Sequence, residues 1–205
     1  VAEEVGLDWR VGPNDQAAGG QIILLEGSIT RHPDVVKRVL DNARTKGNRG
    51  IDQLICVPAA DIITLGSHRS SRATTFFKEQ GLETWDGVEP TERTDFPRDI
   101  DQLRVVHYAS CRGLEGWCVF LEALDTYWGE LLKKNSNELE NLGEEPSVQD
   151  ALEAAKLKTW LGLMIPLTRP IDTLVISFND MASEPASHIL NVADNYLDSI
   201  EIIRI

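Results

Sequence analysis

The 205-residue chain is poor in cysteine: Cys56, Cys111 and Cys118 are the only three, and no two are spaced C-x-x-C. So small and odd a set excludes a disulfide framework and a four-thiolate zinc site, and it predicts reduced thiols in a cytoplasmic protein. Four histidines, His32, His68, His107 and His188, are scattered without an H-E-x-x-H spacing, so no metal site is expected. No run of 18 apolar residues occurs, which excludes a membrane-spanning helix. Residues Val1 to Arg10 carry Glu3, Glu4 and Asp8 in place of a basic start and an apolar stretch, and do not read as a signal peptide. Neither G-x-x-x-x-G-K-[S/T] nor G-x-G-x-x-G is present, so the chain has no phosphate-cradling loop of its own. Positive charge is scarce as well, with 20 Lys and Arg against 33 Asp and Glu, a net charge of -13. Such a surface repels nucleic acid at long range, and any contact with it has to use a local basic cluster.

What remains is an ordinary globular composition, 42% hydrophobic and 26% charged. Short apolar runs read as buried strands at Gln21–Gly27, Asp61–Gly66, Leu103–Tyr108, Trp117–Leu124 and Asp172–Phe178, with a last strand within Ser199–Ile205. Helical spacing follows Pro33 (Val35, Val36, Val39, Leu40), then spans Ser70–Gln80 up to Gly81, Ser147 to about Ile165, and Ala186–Asp198. The segment Thr45–Ala60 reads as a loop holding a short apolar piece, Ile51–Val57. Glu83–Asp101 reads as a polar loop and Asn135–Pro146 as an acidic surface insertion. In the long helix, Leu152, Leu157, Trp160, Leu161 and Met164 fall on or near one face. Strands alternating with helices predict an α/β fold, a mainly parallel sheet covered on both faces. Residues 1–20 are expected to be an N-terminal linker or the edge of a preceding domain, and 21–205 the folded domain.

Two segments stand out. Cys111-Arg-Gly-Leu-Glu-Gly116 follows a strand, where Gly113 lets backbone approach a phosphate and Glu115 offers acceptors to a sugar; the same string also suits a plain turn. Pro166-Leu-Thr-Arg-Pro170 ends a helix just before a strand. There Arg169 can reach across a domain interface or simply cap the helix dipole.

In order and spacing the chain resembles the second RecA-like domain of superfamily one helicases of the UvrD/PcrA/Rep kind. A family motif of the form T-x-H-S-x-K-G-L-E-F is matched by His107-Tyr-Ala-Ser-Cys-Arg-Gly-Leu-Glu-Gly116. A second, Y-V-A-L-T-R-A-R, is matched by Met164-Ile-Pro-Leu-Thr-Arg-Pro-Ile171. A third, L-Y-R-S-N-A-Q-S-R, is matched by Leu65-Gly-Ser-His-Arg-Ser-Ser-Arg72 ahead of a helix. The resemblance covers roughly residues 21–178.

It implies a RecA-like fold without its own P-loop, and half of an ATP site. ATP with Mg would be shared with an N-terminal RecA-like domain of the same protein, which supplies the P-loop and the metal-binding acid. Arg169 would be the catalytic arginine finger, with Arg112, Gly113 and Glu115 on the nucleotide, Glu115 toward the ribose. Single-stranded DNA would be the partner of Ser67, His68, Arg69 and Ser110. The family's N-Y-R-S arginine motif is not found, so the resemblance implies a segment that starts after it. Ala109 stands where the family has His, Arg112 where it has Lys, Gly116 where it has an aromatic residue, and Pro170-Ile171 where it has A-R. A rival expectation is a stand-alone, non-catalytic interaction module on the same scaffold, which the missing P-loop and the acidity favour.

Overall fold

The computed structural model describes residues 2, 5–7, 20–140, 148–194 and 199–205. Seven strands form one parallel sheet: β1 (Gln21–Glu26), β2 (Gln53–Val57), β5 (Thr84–Asp86), β6 (Leu103–His107), β7 (Gly116–Leu121), β8 (Pro170–Phe178) and β9 (Ile200–Ile203). Their spatial order is β5-β6-β2-β7-β8-β1-β9, and every neighbouring pair is parallel. Such a sheet is consistent with a Rossmann/RecA-like fold.

Central strands read as unbroken apolar runs because both of their faces are covered. Leu54, Cys56, Val119, Leu121, Leu174 and Ile176 point to one face. There α3 (Leu124–Glu140), α4 (Val148–Leu167) and α5 (Glu184–Ala193) cover them with Tyr127, Trp160, Leu163, Met164 and Ile189. Ile23, Leu25, Ile55, Val105, Phe120 and Val175 point to the other. That face lies under α1 (Pro33–Thr45) and α2 (Arg72–Glu79), through Val36, Val39, Leu40, Phe76 and Phe77. Pro33 suits the first turn of α1, where its missing N–H costs nothing, and the Ser71 side chain caps α2 by accepting from the Thr74 N–H.

Several expectations need correction. Ile62–Leu65 (β3) is not a strand of the main sheet; it pairs antiparallel with His68–Ser71 (β4) in a separate hairpin. The second strand in chain order is instead β2, inside the segment read as a loop. Its polar first residue, Gln53, is buried because its side chain is satisfied on both sides, donating to the Arg49 carbonyl and accepting from the Cys118 N–H. Second, Asn135–Glu140 is not a surface insertion but the last stretch of α3, with the Asn135 amide buried and bonded to the Thr159 hydroxyl at 2.9 Å; residues 141–147 lie outside the described residues. Third, the apolar residues of α4 do not share a face: Trp160 and Met164 are buried, while Leu152, Leu157 and Leu161 are exposed. Within the segment read as a polar loop, Thr84–Asp86 pairs with β6 as the edge strand.

Most of the expected linker, 1–20, and Trp9 with it, lies outside the described residues. No helix among the described residues is long and apolar enough to cross a membrane, and no group of three or more His, Cys, Asp or Glu there is placed to hold a metal ion.

Candidate functional site

In a parallel sheet all strands start at one edge and end at the other, so each predicted residue can be assigned to an edge. Residues 108–115 link β6 to β7 across β2, and therefore run from the carboxyl edge back to the amino edge. Arg112, Gly113 and Glu115 sit at the end of that crossover, immediately before β7. Arg169 sits between α4 and β8, the strand beside β7. The two segments meet directly, with the Gly116 N–H donating to the Arg169 carbonyl at 3.1 Å. Four residues from two distant stretches of sequence thus share the amino edge of β7 and β8.

Their side chains are arranged as follows. Arg112, Gly113 and Glu115 are exposed. Gly113 has φ +82°, and a Cβ built there would meet nothing within 4 Å, so the turn is open on that side. Arg169 lies back on the end of α4: its Nε donates to the Ile165 carbonyl at 2.9 Å and one Nη to the Thr168 hydroxyl at 3.0 Å. One acceptor is a carbonyl of the last helical turn and the other a hydroxyl just beyond it, and the cation also offsets the helix dipole. Both guanidiniums act on one buried thiol. Cys111 is held below the ordinary thiol value by a hydrogen bond with Cys56, opposed by burial and aided by the charges of Arg169 and Arg112. Arg104, on β6, donates from Nη2 to the Glu115 carbonyl at 2.6 Å.

The predicted nucleic-acid residues lie elsewhere. Ser67, His68 and Arg69 belong to the β3–β4 hairpin, which follows β2 at the carboxyl edge. Their segment does not directly follow a strand of the sheet. The hairpin is tied down by acids. Glu89 accepts from the Arg69 N–H at 2.5 Å and lies 3.2 Å from His68 Nδ1, while Asp86 accepts from the Ser70 hydroxyl at 2.8 Å. The Arg69 N–H is the main reason the Glu89 carboxyl is held low. Ser110 is apart from the hairpin. It lines a cleft of about 180 Å³ beside the crossover, with Trp85, Phe96, Arg104, Val106 and Leu114.

Three acids that sequence reasoning passed over occupy the carboxyl edge where β2 and β7 part, their connections leaving to opposite faces. A crevice of this kind is where open α/β sheets bind ligands. Glu130, on α3, accepts from the Ala59 and Ala60 N–H groups at 3.1 and 2.9 Å. Glu122 is buried and accepts from the Ile29 N–H at 2.9 Å and the Ser177 hydroxyl at 2.8 Å. Burial raises its carboxyl, against the pull of the bonds from Ser28, Ile29 and Ser177. Ala123, beside it, holds the left-handed φ of +46° with its N–H on Ser177. Asp61 is likewise raised, chiefly by burial, with Arg72 opposing. Nothing in the strand pattern marks these acids, because each is matched to donors from other parts of the chain. His107, half-buried above them, is lowered by burial.

No protein-family model and no curated protein matches this chain.

Proposed function

We propose that the chain is the C-terminal motor domain of an ATP-dependent DNA helicase or translocase, contributing half of a nucleotide site to an N-terminal P-loop domain. The observation that carries this reading is the meeting of Arg112, Gly113, Glu115 and Arg169 at one edge of the sheet. Two of the four are arginines, one of them exposed and without an ion pair among the described residues. The donor set suits half of a nucleotide site: guanidiniums for phosphate oxygens, an exposed carboxylate for ribose hydroxyls, and a glycine turn open to a close approach. It lacks a loop that could hold a triphosphate alone, so the partner domain supplies that and the magnesium.

Arg169 stabilises the charge that develops on the transferred phosphoryl group. To do so its guanidinium leaves the Ile165 carbonyl and the Thr168 hydroxyl and swings outward, exchanging two hydrogen bonds for phosphate oxygens. In the polypeptide that carries both motor domains, Arg169→Ala is expected to lower ATP turnover by about 10³- to 10⁵-fold. Turnover within a few-fold of the parent would sink the assignment.

A second reading, a non-catalytic interaction module, draws on the opposite edge. There Glu89 and Glu130 already occupy backbone N–H groups that a nucleic-acid phosphate would need. In this reading the chain stands alone, binds neither ATP nor single-stranded DNA even at low salt, where the electrostatic part of binding is strongest, and takes a defined protein partner instead.

A further inference from the structure

Arg104 is costly where it stands. It is a half-buried cation on β6, its Nε is covered and has no partner, and no carboxylate lies within ion-pair distance among the described residues. Burial lowers its pKa, with Asp52 the first of the groups that oppose the shift. A Met or Leu on that face would avoid the desolvation altogether, since replacing a buried charge by an apolar side chain of similar volume is often neutral or stabilising. Packing therefore does not account for the residue.

What the guanidinium does provide is one bond, 2.6 Å long, to the Glu115 carbonyl. The 112–115 turn has little else to hold it. Its backbone is tied by Leu114 N–H to the Cys111 carbonyl at 3.0 Å and by Gly116 N–H to the Arg169 carbonyl. Three of its four residues are exposed, and only Leu114 packs against the core. Among the described residues, Arg104 makes the one side-chain hydrogen bond to that backbone. Arg104 also lines the cleft beside Ser110 together with Leu114 of the turn.

We propose that Arg104 is a positioning residue, which fixes the Arg112–Glu115 turn so that Glu115 and Arg112 present to a nucleotide. The structural half of this stands on its own geometry; the nucleotide half rests on the function proposed above.

The two halves separate in one experiment on Arg104→Met and Arg104→Lys. Amide hydrogen exchange is measured on the chain, and ATP turnover on the two-domain polypeptide. In Arg104→Met, exchange at residues 112–116 should quicken by about tenfold, the loss of one hydrogen bond, with β2 and β7 unchanged. The KM for ATP should rise by about tenfold with kcat nearly unchanged, the pattern of lost binding. Arg104→Lys keeps a donor within reach of the carbonyl and should restore most of both. Unchanged exchange at 112–116, or faster exchange spread through the sheet with a lower melting temperature, would overturn the proposal. Faster exchange confined to the turn with an unaltered KM would keep Arg104 as the clamp and overturn the nucleotide reading.

Discussion

The two edges of the sheet treat charge in opposite ways. At the carboxyl edge several donors near β2 and β7 meet acids: Ala59 and Ala60 meet Glu130, Ile29 and Ser177 meet Glu122, and Arg69 N–H meets Glu89. At the amino edge three guanidiniums, Arg104, Arg112 and Arg169, have only carbonyls, a hydroxyl or solvent as partners. Other cations near that edge do meet acids, Lys46 with Asp172 and Arg49 with Asp101. An edge whose charges are satisfied internally is built for stability, while an edge that keeps cations unspent has capacity left for an anion.

That contrast can be broken by substitutions that should dissociate stability from activity. The largest effect belongs to the amino edge. Arg169→Ala should abolish most ATP turnover yet cost only about 1 kcal/mol, the value of a helix-end cation and its bonds, read by urea melts beside the activity assay. Glu122→Ala should do the reverse. It orphans a buried N–H and a buried hydroxyl and should cost about 3 kcal/mol, seen as a lower urea midpoint.

Glu122 also sets a pH dependence. Its folded-state pKa lies above the unfolded one, so the protonated form favours folding. That contribution is fully present below about pH 4, the unfolded glutamate value, and is lost as pH rises through the folded value. Glu122→Gln, uncharged throughout, should therefore gain on the parent as pH rises from acid to neutral. A stability difference that stays flat with pH would contradict it.

The next effect sharpens the comparison at Glu130. Glu130→Ala frees the Ala59 and Ala60 N–H groups; it should cost about 1 kcal/mol and, under the motor reading, tighten single-stranded DNA binding in a low-salt titration. Equal or weaker binding would favour the module reading. Gly113→Ala, with open space for the methyl group but a left-handed φ, moves stability alone, by about 1 kcal/mol in a thermal melt.

Much of the sheet was legible in the sequence because β6, β7 and β8 are apolar runs bounded by turns, the mark of strands covered on both faces. The same rule misled at Ile62–Leu65. Its apolarity suits a sheet strand, but Ile63 is 37% exposed and the segment pairs only with its own hairpin. It failed in the other direction at β2, five residues opening on a glutamine and set among Gly47, Gly50 and Pro58, whose burial depends on bonds to Arg49 and Cys118. Apolar periodicity also overstated α4, where the exposed Leu157 and Leu161 look like core. At the site, R-G-L-E and L-T-R were visible as strings, and their meeting at one edge follows from the parallel neighbours β7 and β8. Glu122, Glu130 and Arg104 were not visible, because each matters through a backbone group on another element of the fold.

The placement of β2 also bears on how the chain folds. Eight residues, 108–115, join β6 to β7, yet those strands never touch; β2 fills the slot between them and comes from about fifty residues earlier. The centre of the sheet cannot close locally, because its middle rung arrives from the other side of the hairpin and α2. Non-local parallel pairing of this kind slows folding, and it binds the first third of the chain to the middle third in one cooperative unit. A break within residues 58–102 would leave two pieces that each lack the neighbour their apolar faces require, so a nick in that stretch threatens the whole sheet rather than a single loop.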